Sequence, residues 1–201
     1  IIKKHGTEAG YYGHASVGCL HIRPLINLKN QEGIDRMKGI ADEVSDLVLE
    51  YGGSLSGEHG DGLVRSGYNE KMFGSQLYQA FKDVKNTFDP KGIMNPGKIV
   101  DSPPMTENLR YGTTYNTINP GNGFGFNTEG GSLPSAIEMC NGQGECRKVT
   151  SGTMCPSYMV TRDEEHSTRG RANALRAAIS GAIPTSSLTD ERMYQVMDLC
   201  L

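Results

Sequence analysis

Gly18-Cys19-Leu20-His21-Ile22-Arg23-Pro24-Leu25-Ile26-Asn27-Leu28, together with residues 31–51 that follow it, sets the fold class. Leu20, Ile22, Ile26 and Leu28 fall on alternate positions while His21, Arg23 and Asn27 take the other face, which predicts a half-buried strand with Pro24 marking an edge, bulge or bend. The period then changes. Ile34, Met37, Ala41, Val44, Leu47, Val48 and Tyr51 recur at three-to-four spacing, predicting a helix that Gly52-Gly53 stops in a left-handed cap. A short strand at Ser54–Ser56 is expected next, then a second amphipathic helix on Leu77, Phe81, Val84 and Phe88, closed by Asp89-Pro90. Strand, helix, strand and helix with long connections predict an α+β domain ending near Val100.

Downstream the pattern dissolves. Residues 101–135 hold Pro103-Pro104, Asn119-Pro120-Gly121 and Gly130-Gly131 with no period, and read as a linker or wrapped extended segment. Residues 136–201 differ again, with Cys140, Cys146, Cys155 and Cys200, arginines clustered from Arg162 to Arg176, and two helical patterns. The first helix is expected to start at an N-cap Ser167 and run through Ala172, Leu175 and Ile179; the second follows Thr189. A domain boundary therefore falls in the linker.

Composition narrows the function. Only 36% of the 201 residues are hydrophobic, Trp is absent and Gly numbers 26, so the backbone is spent on turns more than on packing. A net charge of −3 gives no electrostatic basis for binding nucleic acid or an anionic membrane. The start at Ile1 has no signal-peptide shape and the end stops on a helical pattern, so the chain reads as an internal piece of a longer polypeptide.

Two glycine-flanked stretches carry the chemistry: Gly13-His14-Ala15-Ser16-Val17-Gly18-Cys19-Leu20-His21 and Ser56-Gly57-Glu58-His59-Gly60-Asp61-Gly62. Two imidazoles, a carboxylate and a further imidazole are the ingredients of a divalent-metal site beside a general base. On a straight strand His14 and His21, seven apart, point to opposite faces, so they converge only if the chain bends near Gly18. Taken singly, each of these residues is more readily read as a core histidine or an exposed turn than as functional; the cluster carries the argument. Imidazole plus carboxylate suits Zn, Fe or Mn.

The run from Gly13 to Pro24, the run from Ser54 to Gly62, and Phe88-Asp89-Pro90-Lys91-Gly92-Ile93-Met94-Asn95-Pro96-Gly97-Lys98 together resemble the C-terminal substrate domain of FAD-linked oxidases of the vanillyl-alcohol oxidase type, as found in D-lactate, glycolate and D-2-hydroxyglutarate dehydrogenases. The resemblance implies a ferredoxin-like antiparallel sheet with helices, incomplete here, over residues 1–100. It further implies that His14, His21 and Glu58 bind the metal, that His59 is the base, and that Asn95 lies near the flavin. In this chain Ser16-Val17-Gly18-Cys19 replaces the Gly-Asp-Gly-Asn common in relatives, and Arg23 replaces a neutral residue. Arg23 is read as a holder of the substrate carboxylate, or else as a solvated strand arginine.

In the second half, Cys140, Cys146 and Met154-Cys155-Pro156 resemble a ferredoxin cysteine pattern in which Gln143 stands for the central cysteine. A disulfide framework is the rival, weakened by the odd cysteine count and the lack of a secretory signal. The segment from Cys140 through Ala172 resembles the iron–sulfur region of fusions between FAD-linked oxidases and an α-helical ferredoxin module. That implies a two-cluster 4Fe-4S-type module in the intact protein, begun by residues 136–201, with Cys140, Cys146 and Cys155 as ligands from one motif and Cys200 as the first cysteine of a second, neither cluster being completed by this piece.

The combined expectation is part of an FAD-dependent dehydrogenase that oxidises a D-2-hydroxy acid and passes electrons through iron–sulfur clusters to a quinone or an acceptor protein. The piece alone is expected to be inactive without the rest of its polypeptide. Its expected place is the cytoplasm, or the periphery of the inner membrane. Two rivals stay open: a metal-dependent hydrolase using His14, His21 and Glu58, and a non-enzymatic electron-transfer or scaffold subunit.

Overall fold

A computed structural model describes residues 1–121 and 123–200. It divides into two compact units, residues 1–114 and residues 115–201. The irregular stretch 101–135 is shared between them.

The first unit opens with a hairpin of β1 (Ala9–His14) and β2 (Cys19–Pro24), joined by a 3-10 turn at Ala15–Val17. The strands are antiparallel, with Tyr12 opposite His21 and His14 opposite Cys19. Among the described residues the sheet has two strands. The predicted strand thus stops at Pro24, where the proline ring removes a ladder donor, and Leu25 instead gives its amide to Glu8 O at 2.9 Å. Helix α1 (Gln31–Glu50) begins where Asn30 accepts the Gly33 amide at 2.7 Å. It ends in a Schellman motif: Gly53 donates to Val48 O and Gly52, at φ +65°, donates to Leu49 O. The expected strand at Ser54–Ser56 does not form. Ser54 turns its hydroxyl onto Ser56 O at 3.0 Å, and that local bond replaces a ladder.

A short helix α2 (Gly62–Arg65) leads into α3 (Asn69–Phe88), which kinks at Gly74. The α1–α3 seam is largely polar: Tyr68 donates to Asp42 Oδ1 at 2.8 Å and Lys71 to the fully buried Ser45 Oγ at 2.7 Å. Burial and the Asp42 carboxylate push the Tyr68 phenol well above its usual range. The buried apolar side chains of this unit are Ile34, Ile40, Tyr68 and Val100. Leu77, Val84 and Phe88, which mark the predicted apolar face of α3, are exposed.

The second unit is helical. It comprises α4 (Leu133–Glu138), α5 (Pro156–Thr161), α6 (Thr168–Ile179) and α7 (Glu191–Asp198). Ser167 caps α6 by accepting the Gly170 amide at 2.9 Å, and Asp190 caps α7 by accepting the Met193 amide at 2.8 Å. Its core holds Ile137, Cys146, Tyr158, Ala178, Ile179, Met193 and Val196. Arg171 is buried among them, tying α6 to α7 through Val196 O at 3.0 Å and reaching His166 O at 2.8 Å. No helix among the described residues is long and apolar enough to cross a membrane.

Candidate functional site

Cross-strand pairing answers how His14 and His21 meet. Directly opposed residues of an antiparallel pair share a face, so Tyr12, His14, Cys19 and His21 all project to one side of the hairpin. The bend anticipated near Gly18 is a full chain reversal. Gly13 lets the strands approach: a β-carbon there would lie 2.3 Å from Cys19 O. The imidazoles of His14 and His21 stand edge-to-face with centroids 5.2 Å apart, and Tyr12 stacks on His21 at 4.9 Å.

The loop after α1 supplies the acid. Ser56 donates to Gly60 O at 2.7 Å, and Arg65, from α2, also reaches Gly60 O, at 2.9 Å through Nη2 and 3.2 Å through Nε. These bonds curl residues 56–60 over the sheet. Glu58 then lies 3.2 Å from His14 Nε2 through Oε1, and 3.1 Å from both His21 Nε2 and His59 Nε2 through Oε2. One donor atom from each of His14, His21 and Glu58 fits within a 4.8 Å circle. Two donors bound at tetrahedral angles to an ion about 2.0–2.1 Å away lie roughly 3.3 Å apart, close to the 3.2 and 3.1 Å that separate Glu58 from His14 and His21.

Arg23 follows on the same face of β2, its guanidinium 5.2 Å from the Tyr12 centroid. With His21, His59 and Arg65 it borders a groove of about 590 Å³. Tyr12 and Arg65 were invisible as site residues in the sequence. Pairing of residues 9–14 with 19–24 was the signal for Tyr12.

Asn95 sits in the exposed loop after α3 with a left-handed backbone, φ +50°. Asp89 organises that loop: it accepts the Ile93 and Met94 amides, both at 2.9 Å, and the Lys85 ammonium at 2.6 Å. Lys85 first, then the two amides, hold the Asp89 carboxyl below its ordinary range. Ser66 accepts the Ile99 amide at 2.9 Å and Asn69 donates to Ile99 O at 2.9 Å, stapling the far end of the Asn95 loop to the turn after α2. Among the described residues no hydrogen bond joins Asn95 to the His–Glu cluster.

In the second unit all of Cys140, Cys146, Cys155 and Cys200 are free thiols. Cys155 has φ +53° and accepts the Thr168 amide at 3.1 Å; Cys146 accepts the Arg169 amide at 3.4 Å. Two sulfurs thus gather at the start of α6. Among the described residues the cysteines do not form a group tight enough for one ion, and a multi-iron cluster spreads its thiolates more widely. The amide-to-sulfur bonds suit thiolates, so the donor set fits such a group. Gln143 is exposed and folded back locally, its amide on Asn141 Oδ1 at 2.9 Å. Cys200 follows α7 and is exposed; among the described residues no hydrogen bond links it to the other thiols.

Residues 1–99 match the family of C-terminal domains of FAD-linked oxidases. A D-2-hydroxyglutarate dehydrogenase of Haemophilus influenzae is 34% identical over 184 residues, covering 88% of this chain and 17% of that protein. One from Pseudomonas putida is 37% identical with the same coverage. A D-lactate dehydrogenase of Archaeoglobus fulgidus is 36% identical over 101 residues, covering 50% of this chain and 22% of its own length. The chain therefore spans about a sixth to a fifth of these curated relatives. No solved structure matches it significantly.

Proposed function

From the match of residues 1–99 to the C-terminal domains of FAD-linked oxidases, we propose that this chain is the substrate-side part of an FAD-dependent dehydrogenase that oxidises D-2-hydroxyglutarate to the 2-oxo acid. The observation that carries the reading is the meeting of His14, His21 and Glu58 within 4.8 Å, with His59 on the same carboxylate. Preference for 2-hydroxyglutarate over lactate or glycolate rests on the extent of the likeness. A match over 88% of the chain reaches well into the second unit, and the Haemophilus and Pseudomonas relatives that match so carry that name.

His14, His21 and Glu58 would hold the divalent metal, which supplies a Lewis acid for the substrate hydroxyl. FAD, toward which Asn95 would be a contact, would supply the hydride acceptor. His59 takes the hydroxyl proton as the Cα hydrogen leaves with its electron pair. Its Nε2 is directed at Glu58 Oε2, so Nδ1 receives the proton and the carboxylate steadies the imidazolium. Arg23 binds a substrate carboxylate, and Tyr12 keeps the His21 ring in plane by stacking. A ferredoxin-like sheet completed by neighbouring polypeptide would cover β2 and α3.

Residues 136–201 begin a ferredoxin-type module in which Cys140, Cys146, Cys155 and Cys200 serve iron–sulfur clusters that carry electrons to a quinone or acceptor protein, in the cytoplasm or at the inner membrane. The full-length protein should reduce an artificial dye with D-2-hydroxyglutarate at a higher kcat/KM than with D-lactate or glycolate, and lose that activity to a chelator. Failure with every 2-hydroxy acid, alongside metal-dependent hydrolytic activity, would replace this reading with the hydrolase.

A further inference from the structure

The arginines near the cysteines divide by what they touch. Arg171 is buried and spends its donors on Val196 O and His166 O. Arg147 stands over the Tyr158 ring, 5.5 Å from its centroid, and pairs with Glu164 Oε2 at 2.9 Å. Of the three, Arg169 is the one whose guanidinium hydrogen-bonds a carbonyl of the cysteine loop. Its backbone amide is on Cys146 Sγ, and its Nη1 donates to Gly142 O at 3.0 Å, inside the Cys140–Cys146 loop. Its Nε and Nη2 form a two-pronged pair with Glu164, at 2.7 and 3.0 Å. Gly144, at φ +84°, makes room: a β-carbon there would lie 3.0 Å from Arg169 Nη1. The neighbouring Thr168 gives its amide to Cys155 Sγ at 3.1 Å.

We propose that Arg169, clamped between Glu164 and the Cys140–Cys146 loop, is a positioning residue that sets the reduction potential of an iron–sulfur cluster held by these thiolates. The inference rests on the cluster reading above. One-electron reduction, with the electron coming from the flavin, adds one negative charge to a thiolate-held cluster and breaks no bond. A fixed guanidinium and two amides aimed at the sulfurs favour that added charge. Glu164 is the counterweight, since it partly cancels the guanidinium, and losing Arg169 leaves that carboxylate beside the loop with Arg147 still paired to it.

The test is a dithionite titration of the full-length protein, purified anaerobically and followed by the electron paramagnetic resonance of the reduced cluster, for wild type, Arg169→Gln, Arg169→Lys and Glu164→Gln. Arg169→Gln should make reduction about tenfold less favourable, a midpoint about 59 mV lower for one electron. Arg169→Lys should restore most of it, and Glu164→Gln should move the midpoint upward. Unchanged midpoints in Arg169→Gln and Glu164→Gln, with iron and sulfide content intact, overturn the proposal. Should Arg169→Gln fail to assemble a cluster, Glu164→Gln decides alone, a rise supporting and no change overturning. Wild-type protein that holds iron at the histidine site but no sulfide-bound iron would sink the cluster reading, and this inference with it, while leaving the dehydrogenase reading standing.

Discussion

Glu58 touches three imidazoles at 3.1–3.2 Å, so a single carboxylate links the proposed ligands to the proposed base. Substitutions should therefore separate two functions. In the full-length enzyme His59→Ala is expected to lower kcat by about 10²–10⁴-fold, the usual worth of a positioned base, with metal content by elemental analysis unchanged. Glu58→Gln should lose both metal and turnover. Asp89 works at a different level, because Lys85 and two amides stabilise its ionised form in the folded state. Its contribution is present in full above the ordinary carboxylate range, near pH 4, and is lost as pH falls through the lower folded value. Thermal melts should show Asp89→Asn clearly less stable than wild type at pH 7, with the gap closing as acid protonates Asp89 in the folded protein; a gap that stays equal throughout would refute the charge argument.

Elements tell which parts of the fold a sequence discloses. Helix α1 was legible because a sustained period and the Gly52-Gly53 stop agree, and α6 was legible from Ser167 and its apolar repeat. β1 was not, since Ala9-Gly10-Tyr11-Tyr12-Gly13 has no alternation and two glycines; only its partner defines it as a strand. Ser54–Ser56 reads as a strand by its place in the pattern, but among the described residues no strand pairs with it. The His–Glu cluster was nameable from its glycine-flanked motifs, whereas the Tyr12 stack and the Arg65 bond to Gly60 depend on register and loop path, which spacing does not encode. Ser167→Ala should cost about 1 kcal/mol in denaturant titration through loss of the α6 cap. Gly13→Ala should weaken metal retention, because the added carbon meets Cys19 O across the hairpin and moves His14 away from His21; undiminished metal content in that variant would count against the hairpin as the organiser of the site.

Across the whole molecule the two halves differ in how they are held together. The first unit buries few apolar side chains and exposes Leu77, Val84, Phe88, Ile93 and Met94, while the second packs seven around α6. Exposed apolar surface on this scale predicts that the 201-residue chain, made alone, will bind a hydrophobic dye and self-associate in size-exclusion chromatography. The thin interior also gives the hairpin and the residue 56–60 loop a second importance. An ion gripped by His14 and Glu58 would act as a cross-link between points some 44 positions apart along the backbone, shutting a long loop that the unfolded chain would otherwise explore. At a hundred times its dissociation constant such an ion would add about 2.7 kcal/mol to the folded state, so in this unit the proposed metal would double as a structural rivet.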